Sequence, residues 1–155
     1  MNFLKAEGAN LIFHLGKREK SLLLDLLKMY PVIPPAHHRI SSACDSPEAE
    51  ANQNLLDEAL AEHRAASKRA LDAMLAESNR FEPTAGGFLL KLTAEQLEWL
   101  LQVLNDVRVG SWIHLGSPDG KSRHARLSIK NARYLWAMEL CGQFQFSLLH
   151  GRTTP

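Results

Sequence analysis

Thr93-Ala-Glu-Gln-Leu-Glu-Trp-Leu-Leu-Gln-Val-Leu-Asn-Asp-Val-Arg-Val-Gly-Ser-Trp-Ile-His-Leu115 is the stretch on which the fold turns. Thr93 and Gln96 stand three apart, the hydroxyl and amide of a capping box that opens a helix. Behind them Leu97, Trp99, Leu100, Leu101, Val103, Leu104, Val107, Val109, Trp112, Ile113 and Leu115 place apolar groups on nearly every side. A helix apolar all round predicts a central, buried element over about 93–115. Ser117-Pro118-Asp119-Gly120 then reads as a turn.

The flanks supply the rest of the fold. On the N-terminal side, 83–87 reads as a connector, and Phe88 to Leu92 as a short strand able to pair with a β-hairpin over 2–15. That hairpin turns at Glu7-Gly8-Ala9-Asn10. Lys17 to Met29 is predicted helical, with Leu22, Leu23, Leu26, Leu27 and Met29 on one broad face, and Pro31 closes it. Ser46-Pro47-Glu48 is a helix start, with hydroxyl cap, proline and acid in order. The helix it opens runs to about Asn79 along a stripe of Leu56, Leu60, His63, Ser67, Leu71 and Met74. Its other apolar positions are almost all alanine, which favours helix but buries little area. Such a helix either breaks near Asn52–Asn54 or projects as an arm. A last helix spans about 129–149. The expected architecture is mainly α: one domain over 1–151, a four-helix core with a small two- or three-stranded antiparallel β-sheet, and a loose tail at 152–155.

Composition narrows the function classes. The chain has 155 residues, a net charge of +1, 45% hydrophobic and 23% charged residues. That much apolar content with so little net charge excludes a disordered chain. No apolar run approaches the roughly 20 residues that span a bilayer, and the N-terminus has no secretory pattern. Two lone cysteines, Cys44 and Cys141, fit a reduced cytoplasm. Neutrality hides segregation, however. Residues 46–79 hold seven acids and three bases, and 117–133 hold five bases and one acid, net −4 and +4.

Candidate sites follow from polar residues in apolar surroundings. Asn105, Asp106 and Arg108 interrupt the central helix, with His114 two turns on. They read either as a buried hydrogen-bond cluster or as a small-ligand or enzyme site, and buried groups of this kind need partners in both cases. Lys121, Arg123, Arg126, Lys130 and Arg133 are the candidate phosphate contacts of a nucleic-acid-binding surface. The stretch is short, lacks interleaved aromatics and belongs to a neutral domain, so nucleic acid ranks below a protein partner. His37, His38, Cys44 and His63 lack metal-ligand spacing, and no metal or cofactor is expected. Gly120-Lys121-Ser122 misses the phosphate-loop pattern by one residue, and no elbow motif surrounds Ser111. Trp99, Trp112, Trp136, Phe144 and Phe146 are expected mostly in the core, any surplus marking a partner face or homodimer interface.

The segment Leu92 to Val109 closing on Leu115-Gly116 resembles the signature of an uncharacterised bacterial family, the domain of unknown function numbered two thousand and seventeen. Leu104-Asn105-Asp106-Val107-Arg108 is its distinctive part, and Asp45-Ser46-Pro47-Glu48-Ala49 and Tyr134 to Leu149 match by pattern. Trp112 and His114 stand where the family carries a small and a basic residue. The family has no established activity. Some members are encoded beside the adaptor of the Clp protease and some carry a transcriptional-regulator label, so the resemblance implies a link to Clp-type proteolysis or to transcription. The expectation is a non-catalytic cytoplasmic interaction or regulatory module that forms a homodimer. The alternatives are a nucleic-acid-binding protein and a small-ligand or enzyme site around Asn105, Asp106 and Arg108.

Overall fold

A computed structural model describes residues 1–34, 47–117 and 129–153, with the side chains at 47, 129–130 and 151–153 outside the description. The elements run β1 (Asn2–Glu7), β2 (Asn10–Leu15), α1 (Lys17–Met29), α2 (Pro47–Ala76), β3 (Phe81–Thr84), β4 (Gly87–Thr93), α3 (Ala94–His114) and α4 (Ile129–Thr153). The architecture is mainly α with a small antiparallel sheet.

The sheet has four strands in the order β1-β2-β4-β3, one more than the largest number expected. The addition is β3, which pairs with β4 from Phe81↔Leu90 to Thr84↔Gly87 across a stretch that reads as connector in the sequence. Its Phe-Glu-Pro-Thr sequence exposes Glu82, Pro83 and Thr84 and shows no alternation. Proline is accepted there because β3 is an edge strand. The β1–β2 hairpin turns at Gly8, whose φ of 59° suits glycine. Gly87 permits a close approach at the sheet: a Cβ would lie 2.1 Å from the carbonyl oxygen of Leu15.

Phe13 and Leu15 of β2 and Leu90 and Leu92 of β4 are fully buried, in register as Phe13↔Leu90 and Leu15↔Phe88. Against them pack Leu23, Leu26 and Leu27 of α1 and Leu97, Leu100 and Leu104 of α3. α4 lies along α3 and β1, contributing Ala137, Cys141, Phe144 and Leu148.

α2 is one continuous helix of 30 residues, about 45 Å at 1.5 Å per residue. Of its stripe, Leu71 and Met74 are buried, Leu56, Leu60 and Ser67 are half-buried, and His63 is exposed. The alanine-rich sequence holds the helix while leaving little area to bury. α2 ends at Ala76, short of Asn79, where the chain turns to bury Arg80. The Arg80 guanidinium donates to Gln96 Oε1 at 2.9 Å and to the Lys91 carbonyl, and pairs with Glu77 Oε2 at 2.6 Å. Gln96 Oε1 also accepts from Thr93 N at 3.1 Å, and Thr93 Oγ1 accepts from Gln96 N at 3.2 Å, which completes the capping box. One buried arginine thus ties the end of α2 to β4 and to the start of α3. α4 extends to Thr153 rather than ending at 149, so the expected tail is helical in part; the next helix-breaking proline is Pro155.

Candidate functional site

The all-round apolar pattern of α3 predicts complete burial, but one side is open: Glu98, Gln102, Asn105, Arg108 and Trp112 are exposed there, and His114 is exposed on another side at the helix end. The helix packs chiefly against α4, α1 and β4, and the strip between stays exposed. The candidate residues therefore fall on different sides, and the structure divides them into three groups.

Asp106 faces inward, half-buried. Its Oδ1 accepts from Val32 N at 2.7 Å and from Ile33 N at 3.4 Å, holding the chain that leaves α1. Gly110, one turn on, completes the seat: a Cβ there would lie 2.6 Å from Ile33 N and from the carbonyl carbon of Val32. A carboxylate and a bare Cα at i and i+4 make a backbone-docking groove, since both lie on one helix face. Gly110 does not stand out in the sequence; its spacing from Asp106 is the only signal there.

Asn105 and Arg108 share an outward face. With Val109, Trp112 and Met138 they line a concavity of about 230 Å³. Arg108 and Met138 also border a larger one of about 580 Å³ against Glu139, Gly142, Gln143 and Phe146 of α4. Arg108 Nη1 donates to Gln145 Oε1 at 3.4 Å, a long bond to a neutral group. Among the described residues neither Arg108 nor Glu139 forms an ion pair.

His114 belongs to neither group. Its ring stacks on Tyr134 with centroids 4.6 Å apart and planes 14° from parallel. Arg133, expected among the nucleic-acid contacts, lies against the same tyrosine with its guanidinium carbon 4.4 Å from the ring centroid. Both line a recess of about 250 Å³ with Pro31, Val32 and Met29. Lys121, Arg123, Arg126 and the Lys130 side chain lie outside the described residues, as do His37, His38 and Cys44. Among the described residues no group of three His, Cys, Asp or Glu side chains is placed to hold a metal.

The aromatics depart from expectation as well. Phe144 is buried and Trp99 is half-buried, but Trp112, Trp136 and Phe146 are 37%, 42% and 63% exposed. Two packed helices bury facing stripes only, and these three rings stand outside the α3–α4 seam. Cys141 sits in that seam, where burial pushes its thiol up to about 12 despite the opposing charge of Arg108. No family model, curated protein or solved structure matches this chain. Among the described residues no helix is long and apolar enough to cross a membrane.

Proposed function

We propose that the protein is a non-catalytic interaction module of the cytoplasm that associates with itself. The observation that carries this reading is the exposure of three large aromatic side chains on α3 and α4: Trp112, Trp136 and Phe146. Large aromatic side chains bury 150–250 Å² each when covered, and their enrichment marks the cores of interfaces. The polar residues of α3 favour the same reading over chemistry. Asp106 is occupied by two backbone N–H groups, and His114 is stacked one face away from Asn105 and Arg108. A general base and its partner need hydrogen-bond reach of one another, and these groups serve separate contacts. The buried Cys141 thiol suits a reducing compartment.

Multi-angle light scattering at micromolar concentration tests the reading. The expected mass is about twice the 17.4 kDa of one chain. A single-chain mass at every concentration overturns self-association.

A further inference from the structure

We infer that the outer face of α3 and α4 is a two-fold interface between two copies of this chain, in which Arg108 of each copy meets the partner's Glu139. The inference rests on the reading that the protein self-associates, and adds where and with what chemistry. An isologous interface uses one patch twice, so that patch must hold both halves of every contact. This face does. Arg108 and Glu139 border one concavity, carry opposite charges, and are not ion-paired within the chain among the described residues.

Shape follows the same rule. Phe146 stands 63% exposed as a projecting ring, and beside it Gly142 leaves open space on α4, where a Cβ would meet nothing within 4 Å. Knob and hollow are one turn apart on one helix, so a copy rotated by two-fold symmetry offers its own Phe146 to the hollow it faces. α3 has 21 residues, hence a length of about 30 Å, and two helices side by side span about 20 Å. That face is of the order of the roughly 800 Å² each partner brings to a standard interface. A partner of one charge sign would leave Arg108 or Glu139 facing a like charge or nothing; a second copy pairs both.

Charge reversal in trans tests this. Arg108→Glu and Glu139→Arg are each made in the full chain, with circular dichroism as the check that these exposed sites leave the fold intact. In sedimentation equilibrium each variant alone is expected to raise the dimer dissociation constant by at least about tenfold, because like charges then meet across the axis. An equimolar mixture of the two variants is expected to associate again, since every 108–139 pair in the mixed dimer is once more of opposite charge. Unchanged dimerisation of both variants, or no recovery on mixing, overturns this interface while leaving self-association standing. A monomeric wild type overturns both.

Discussion

At the scale of single residues, α3 shows how polar groups on one helix come to serve unrelated ends. Asp106 and Gly110 hold the chain after α1, so changing either releases the same backbone. Asp106→Ala is expected to cost about 1–3 kcal/mol by leaving the Val32 and Ile33 N–H groups without an acceptor. Gly110→Ala should cost a similar amount, about 1–3 kcal/mol, since backbone must shift to admit the methyl group. Urea denaturation checks both, and the double variant should lose less than the two losses added, because one docked segment is being undocked twice. Asn105→Ala, exposed on the other side, should stay within about 0.5 kcal/mol of wild type. Cys141 supplies an independent check on the core. With its thiol buried and pushed up to about 12, a Cys44→Ser variant should react with a thiol reagent only once denatured, whereas fast reaction of the folded protein would contradict the packing. Sequence alone singles out Asp106, as a charge inside an apolar helix. Its partners, more than 70 residues earlier, leave no local trace.

At the scale of elements, local signals are legible where they are self-contained. The Thr93–Gln96 box, the Gly8 turn and the leucine face of α1 each depend on residues within a few positions of one another. β3 is not legible, because an edge strand with Pro83 and three exposed positions has neither alternation nor a full set of donors. Arg80 is equally hidden, since its partners Gln96 and the Lys91 carbonyl belong to elements that meet only in the folded chain. Arg80→Ala is expected to cost about 1.5–3 kcal/mol through those charge-assisted bonds, read as a lower urea midpoint. Gly142→Ala should act oppositely. It lies within α4 with open space where its Cβ would stand, so alanine should add roughly 0.5–1 kcal/mol to monomer stability, measured at dilutions where association does not contribute.

For the whole molecule, Glu19 should contribute one pH-dependent part of the stability. Burial works against its charge, but hydrogen bonds from Met1 N and Gly16 N, with the charges of that ammonium and of His14, outweigh burial and hold the carboxyl below its usual 4.5. A carboxyl whose affinity for protons is lowered by folding contributes stability that is present above the unfolded value and lost as pH falls through the folded one. Unfolding free energy should therefore decline as pH drops from about 5 towards 3, and Glu19→Gln should flatten that part of the slope. Equal slopes in the two proteins would show that the interaction does not contribute.

The amino-acid sequence by itself determined the helices, the hairpin, the apolar stripes that choose their inner faces, and the division of a near-neutral chain into acidic and basic segments. These are properties of neighbours along the chain, fixed by periodicity, capping and turn chemistry. Tertiary structure alone decided which polar residues became structural and which remained available. Asp106 was drawn inward by the backbone it meets, whereas Arg108, two residues on, was turned outward beside Glu139. Two residues on a helix differ by about 200° in direction. The packing of α4 and the segment after α1 against particular sides of α3 therefore separated one sequence cluster into a loop anchor and an open surface.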